Sequence, residues 1–314
     1  MPVYTHINQL PSFKNSVITI GSFDGVHLGH RQILEQMCQH AHHIGGTAVV
    51  ISFYPHPKKI VGNGNDSLQL LNTREEKYEL LRKAGINHIV ETPFTAEFSQ
   101  QLPEAYIEHF LIKHFKPHSI FIGYDHRFGR NREGDYRLLE SMSTKWGYTV
   151  HEIPKHVLQN ISISSTKIRQ ALLSGDINTA TQYLGYPYFF SGKVVLGNQL
   201  GRTLGFPTAN IEIADPDKLV PANGVYAATA TLNNEPGLLQ GMMNIGTRPT
   251  VDGSRRVIEL HLFNFDRDIY DNILTVQLHQ RLRPEVKFSG LDALTAQLQK
   301  DKDSCLQLIK NGKL

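Results

Sequence analysis

Three stretches of this 314-residue sequence combine residue types that handle phosphate. The first is Gly21-Ser22-Phe23-Asp24-Gly25-Val26-His27-Leu28-Gly29-His30, between the apolar run Val17–Ile20 and a helical pattern. Glycines at such a strand-to-helix turn let a ligand approach the backbone, and a helix N-terminus favours an anion. His27 and His30, three apart, can face that spot together and donate to the charge that builds on a triphosphate attacked at its α-phosphorus. A pair of histidines elsewhere would read as surface polarity; the flanking glycines set this pair apart.

The second stretch is Ser164-Ser165-Thr166-Lys167-Ile168-Arg169, ahead of the helical Ala171, Leu172 and Leu173. Ser165 and Thr166 suit a helix cap, and Arg169 one turn inside can grip a phosphate bidentately. Spacing alone leaves both readings open. The third, Gly201-Arg202-Thr203-Leu204-Gly205-Phe206-Pro207-Thr208-Ala209-Asn210, lacks the Lys-Ser/Thr ending of a P-loop. Gly201 and Gly205 still expose backbone N–H groups that cradle phosphates, and Thr208 and Asn210 carry oxygens suited to Mg²⁺. A flexible turn is the other reading. Glu259 stands in the alternating run Val257–Phe263, with His261 on its side and Leu260 and Leu262 on the other. A solvated strand face is the ordinary explanation of such a Glu.

Two kinds of scaffold must position these residues. In the first half, strand-like runs at Val17–Ile20, Ala48–Phe53, His88–Val90, Ser119–Ile122 and Tyr148–Ile153 alternate with helical patterns. Among the helices are one carrying Ile33, Leu34, Met37, Cys38 and Ala41, one capped by Thr73 with Glu76, one opened by Pro103, and one near Tyr136–Trp146. Five strands so interleaved predict an α/β fold with an open parallel sheet, whose ligands bind beyond the carboxyl ends of the strands. Near residue 185 the pattern changes to short alternating runs punctuated by Gly and Pro, and then a helix over Leu291–Ile309. That predicts an antiparallel β-barrel closed by a helix. The predicted domains are 1–184 and 185–314.

Together, GSFDGVHLGH, FYPHP (Phe53–Pro57), GYDHRFG (Gly123–Gly129), SSTKIR (Ser164–Arg169) and GRTLGFPTAN (Gly201–Asn210) resemble the bacterial bifunctional riboflavin kinase/FAD synthetase family over about residues 14 to 310. The resemblance implies a Rossmann-like HxGH nucleotidyltransferase domain followed by a riboflavin kinase barrel. It implies that ATP and Mg²⁺ convert riboflavin to FMN, and that a second ATP adenylylates FMN to FAD and pyrophosphate. By the same resemblance His27, His30 and Arg169 act on the phosphates, with Gly21, Phe23, Asp24, Gly25, Gly29, Ser165 and Thr166 along the nucleotide. Gly201, Gly205 and Pro207 would line the kinase phosphates, and Thr208 and Asn210 would hold the metal. Glu259 would be the base for the ribityl hydroxyl, and Gly123, Asp125, Asn223 and Tyr226 would contact flavin. Asn244–Thr250 also matches the family pattern. The sequence departs from that pattern at His126, where an aromatic is usual, and at Asn264 and Asp271 around the Phe265–Tyr270 turn, expected near the kinase flavin site.

Composition narrows the alternatives. Lys and Arg number 32 against 29 Asp and Glu, a net charge of +3 that is too small to argue for a DNA-coating protein, though it leaves room for local basic patches. Cys38 and Cys305 are too few and too far apart for a disulfide framework or zinc knuckle. No basic leader and no run of about 20 apolar residues is visible, so a cytoplasmic protein with no membrane or nucleic-acid partner is expected. His40, His42 and His43 read as the close of a helix, complementing its dipole, and Arg255–Arg256 and Arg281–Arg283 as solvated turns. The rival readings are another HxGH adenylyltransferase with an accessory barrel, an oligonucleotide-binding barrel, and a flavin-sensing regulator without catalysis.

Overall fold

The computed structural model describes residues 1–62, 68–153, 163–197, 199–233, 235–250 and 253–311, without the side chains of residues 200, 249, 250 and 253–255. The chain divides into two units, Met1–Ser164 and Ser165–Leu314.

The first unit is built on six parallel strands: β1 (Val3–Tyr4), β2 (Ser16–Ile20), β3 (Thr47–Tyr54), β4 (His88–Pro93), β5 (Ser119–Gly123) and β6 (Thr149–Ile153). Their spatial order is β1-β4-β3-β2-β5-β6. All five residues of β2 are buried, as expected of a strand covered on both faces. Its residues feed two cores by turns: Ile18 and Ile20 pack with Ile107, Phe110 and Leu111, while Val17 packs with Ile33, Leu34 and Met37. The strand order reverses between the neighbours β2 and β5, and in open α/β sheets the crevice at that point takes the ligand. Gly21 follows β2 and Gly123 ends β5.

Five of these strands are legible in the sequence. The sixth, β1, pairs Val3 with Ile89 and Tyr4 with Val90; two partly exposed residues leave no apolar run to read. The Thr73–Glu76 capping box forms as expected. The helix opened by Pro103 becomes π-wound over Tyr106–Ile112. Its buried Tyr106, Ile107, Phe110 and Leu111 recur every four residues, a spacing that suits either winding.

In the second unit, β7 (Phe189–Val195), β8 (Ala209–Glu212), β9 (Gly224–Leu232), β10 (Leu239–Thr250), β11 (Gly253–Leu262) and β12 (Ile273–Arg283) close an antiparallel barrel in the order β10-β11-β8-β7-β12-β9. The helix Leu291–Lys310 seats Cys305 against Phe206, Ala227, Met242 and Phe263. Strand β10 escapes the sequence reading because glycines interrupt it. A Cβ at Gly241 would collide with the His261 carbonyl across the ladder, so the close approach of β11 requires glycine there. The helices Ser165–Ser174 and Ile177–Leu184 pack within this unit: Ala222 N–H donates to the Leu172 carbonyl and Arg281 to that of Ser174.

The arginines expected in solvated turns are strand residues with internal partners. Arg256 donates to the Val220 and Pro221 carbonyls, Arg281 to the Asn223 carbonyl, and Arg283 grips the buried Asp301 carboxylate at 2.7–3.0 Å. Fixed acceptors beside them replace water. The side chains of Pro249, Thr250 and Arg255 lie outside the described residues. Among the described residues no helix is long and apolar enough to cross a membrane, and Cys38 and Cys305 are free thiols.

Candidate active sites

The loop that leaves β2 passes through positive φ at Phe23 (50°), Gly25 (85°) and Val26 (34°). Such angles are uncommon for a side-chain-bearing residue, and surrounding bonds must hold them. Gly21 N–H donates to the Ile51 carbonyl at 3.0 Å, and Leu71 N–H donates to Asp24 Oδ1 at 2.8 Å. Phe23 and Asp24, expected along the nucleotide, are thus buried and hold the loop itself.

The loop delivers His27 as the N-cap of the 16-residue helix Leu28–His43, where its Nδ1 accepts from the His30 N–H at 3.4 Å. The two rings stack with centroids 3.7 Å apart and planes 14° apart. Gly29 makes room: a Cβ there would sit 3.3 Å from the His27 ring. Burial first, and His27 second, hold the His30 pKa well below the usual imidazole range. His30 is therefore a neutral ring with one donor and one acceptor nitrogen, and its buried Nδ1 has no hydrogen-bond partner among the described residues.

Across the crevice, Gly123 ends β5 beside β2, and Asp125 beyond it is exposed. His126 keeps a ring where the resemblance expects an aromatic. Burial, followed by the nearby Arg132, pushes its pKa down to about 4, so it behaves as a neutral plane 5.9 Å from Phe128. Ser165, Thr166 and Arg169 stand in the opening turns of the helix Ser165–Ser174 and belong to the second unit.

A buried polar group in the first unit has no counterpart in the sequence reading. Lys77, 8% exposed, donates to Ser52 Oγ at 2.9 Å and lies 3.9 Å from Glu91, which Arg74 and Tyr78 also engage. A lysine on the polar side of an amphipathic helix reads as solvated; only the approach of β3 and β4 buries it.

Two cavities of the barrel share Thr208. One, of about 250 Å³, is lined by Phe206, Met242, Met243, Glu259, His261 and Phe288 among others. The other, of about 430 Å³, is lined by Arg202, Pro207, Leu260, Leu262, Arg267 and Tyr270 among others. The alternation along β11 thus sorts its side chains as expected, Glu259 and His261 toward one cavity, Leu260 and Leu262 toward the other. The Phe265–Tyr270 turn lines the second cavity, on the far side of Thr208 from Glu259.

Between the cavities runs the glycine-rich loop. Gly205 adopts φ +77°, and a Cβ at Gly201 would strike the Phe206 carbonyl, which lies over it because Phe206 N–H donates to the Gly201 carbonyl at 2.8 Å. Beyond the loop, β8 sets Asn210 directly opposite Glu259 on β11. A side chain at Gly197, which sequence reasoning missed, would overlap the Asn210 amide. Glu259 accepts from Arg248 Nη2 at 2.7 Å and Asn244 Nδ2 at 3.4 Å, and His261 Nδ1–H donates to the Pro207 carbonyl at 2.8 Å. Two expected flavin contacts are placed differently. Asn223 donates to Glu285 and Thr247, reaching the smaller cavity through its lining residue Glu285. Tyr226 is fully buried with its hydroxyl on the Ala222 carbonyl; its neighbour Val225 lines the cavity, because alternate strand residues face opposite sides.

Comparison with known proteins covers both halves. The family model for FAD synthetase matches residues 10–167, and that for riboflavin kinase matches residues 184–309. The bifunctional riboflavin kinase/FMN adenylyltransferase of Haemophilus influenzae is 36% identical, covering 93% of each chain. That of Escherichia coli K12 is 35% identical over 95% of this chain and 93% of its own, and that of Listeria monocytogenes is 37% identical over 92% and 90%. A crystal structure from Streptococcus pneumoniae, described as a macrolide-efflux protein, has the same fold at TM-score 0.86 and 28% identity, covering 96% of this chain and 97% of that one.

Proposed function

As the chain belongs to the family of bifunctional riboflavin kinase/FMN adenylyltransferases, we propose a division of its two ATP-using activities between the barrel and the sheet. The functional halves run from 1 to 184 and from 185 to 314.

In the barrel, the smaller, apolar cavity takes the flavin ring and brings the ribityl hydroxyl to Glu259. The larger cleft, with Arg202 and Arg267, takes ATP, its triphosphate lying along Gly201, Gly205 and Pro207. Glu259 accepts the hydroxyl proton as the oxygen bonds to the γ-phosphorus; the bond from γ-phosphorus to the bridging oxygen breaks, and ADP leaves. The observation that carries this reading is Thr208: it lines both cavities and stands two residues before Asn210, the cross-strand partner of Glu259. A hydroxyl just before β8 and an amide oxygen on it fit Mg²⁺, which takes few protein ligands and completes its shell with phosphates and water. Among the described residues no cluster of three or more His, Cys, Asp or Glu could hold a metal instead. When bound, Mg²⁺ would neutralise phosphate charge; Thr208 and Asn210 would hold it.

In the sheet, the FMN phosphate attacks the α-phosphorus of a second ATP, and pyrophosphate leaves. His27 and His30 donate to the phosphates, Gly21, Gly25 and Gly29 let them approach the backbone, and the helix N-terminus receives their charge. Gly123 and Asp125 lie along the crevice between β2 and β5. The protein acts in the cytoplasm, with no nucleic-acid or membrane partner; Arg256, Arg281 and Arg283 bind the chain's own carbonyls and carboxylate.

A chromatographic time course with riboflavin, ATP and Mg²⁺ tests this reading. FMN is expected to rise and then feed FAD; absence of both flavin nucleotides would overturn it.

A further inference from the structure

Strands β8, β11 and β10 place Asn210, Glu259 and Asn244 in one row, since each stands directly opposite the next. Directly opposed residues share a face, and so do residues two and four apart on one strand. Arg248, four beyond Asn244 on β10, therefore faces the same cavity. Gly246 between them has no side chain, and the Glu285 carboxylate and Asn244 amide lie over it.

Both oxygens of Glu259 are engaged from β10: Oε1 by Arg248 Nη2 at 2.7 Å and Oε2 by Asn244 Nδ2 at 3.4 Å. Other polar groups of this cavity have different partners. Arg283 is clamped to Asp301, Glu285 accepts from Asn223, and His261 donates to the Pro207 carbonyl. The Arg248 side chain is 39% exposed and that of Glu259 only 14%, so the guanidinium reaches inward from the rim to a carboxylate that is already sheltered.

We propose that Arg248 is a positioning residue for riboflavin phosphorylation. It fixes the Glu259 carboxylate so that a free lone pair meets the ribityl hydroxyl. An ionised carboxylate offers about four lone-pair sites, so Oε1 can keep the guanidinium while the group takes a proton. Without Arg248 the side chain regains its rotamer freedom, and a misplacement of about 1 Å at a reacting group costs about 10²-fold in rate. The inference rests on the reading of Glu259 as the base.

The test is a double-mutant cycle on the full chain: wild type, R248Q, R248K, E259Q and R248Q/E259Q, each measured for kcat and KM in FMN formation and for riboflavin binding by fluorescence quenching. R248Q is expected to lower kcat by about 10- to 10²-fold, with KM and riboflavin binding held within about threefold. R248K keeps the charge without the planar fork and is expected to fall between R248Q and wild type. The double variant is expected to be no slower than E259Q, because Arg248 acts through Glu259. Three results would each overturn the proposal while leaving the base assignment standing: multiplied losses in the double variant, an unchanged kcat in R248Q, or an R248K no faster than R248Q. An E259Q at full kcat would instead overturn the base assignment, and the role of Arg248 with it.

Discussion

Asn210 and Glu259 stand directly opposite each other on β8 and β11, so an amide oxygen suited to a metal and a carboxylate suited to a proton share one face of the barrel. Opposed residues on antiparallel strands have Cβ atoms about 4.5–5.5 Å apart, close enough to serve one transferring phosphoryl group.

From that pairing, Glu259→Gln should lower riboflavin phosphorylation by about 10²- to 10⁴-fold, the range of general-base assistance. FAD formation from added FMN should be unchanged, as its residues lie elsewhere. Separate assays started from riboflavin and from FMN check both halves.

The stacked His27 and His30 rings predict the complementary defect. Removing one preorganised donor to a transition state costs about 10²- to 10³-fold. His30→Ala and His27→Ala should therefore each let FMN accumulate while FAD formation falls by that order. Loss of FMN formation in either variant would contradict the division of labour.

Acid should destabilise the first unit through its partly buried imidazoles. His40 bonds Ser119 Oγ at 2.9 Å, with His118 and His151 beside it, so it does more than close its helix. Burial, then neighbouring histidines, lower the pKa values of His40 and His151; burial, then Arg132, takes that of His126 to about 4. The unfolded chain, with imidazoles near 6.5, binds more protons than the folded one below that pH. Stability should be fully present above about pH 6.5 and decline as pH falls toward 4. Thermal midpoints between pH 8 and 4.5 check this, and His126→Phe should flatten the acid side.

Asp301→Ala should strand the Arg283 guanidinium. Asp301 is 4% exposed and Arg283 17% at the side chain, and breaking such a buried pair costs about 3–5 kcal/mol. For a unit of this size that corresponds to a fall of roughly 10 °C in the barrel's melting midpoint. Calorimetry on the full chain is the check.

Much of this architecture is legible in the residues. The glycine-flanked His27 and His30, the alternation that sends Glu259 and Leu260 to opposite sides, and the Thr73–Glu76 cap are local features. They follow from short-range sterics and strand or helix period, which a sequence carries directly. Strand β1 and strand β10 are not local: two residues at an edge, and a strand interrupted by glycines, acquire their conformation only from the ladders they join. The same holds for the polar groups whose surroundings differ from expectation. Lys77, Arg256 and Arg283 carry the composition of solvated residues, and only distant chain segments supply Ser52, the Pro221 carbonyl and Asp301 beside them. By itself the sequence determined the two scaffolds and which residue types suited to phosphate and to a proton stand close together along the chain. The tertiary structure decided which buried charges have partners and that Arg248 meets Glu259, because burial and ion pairing depend on contacts across strands that no local pattern encodes.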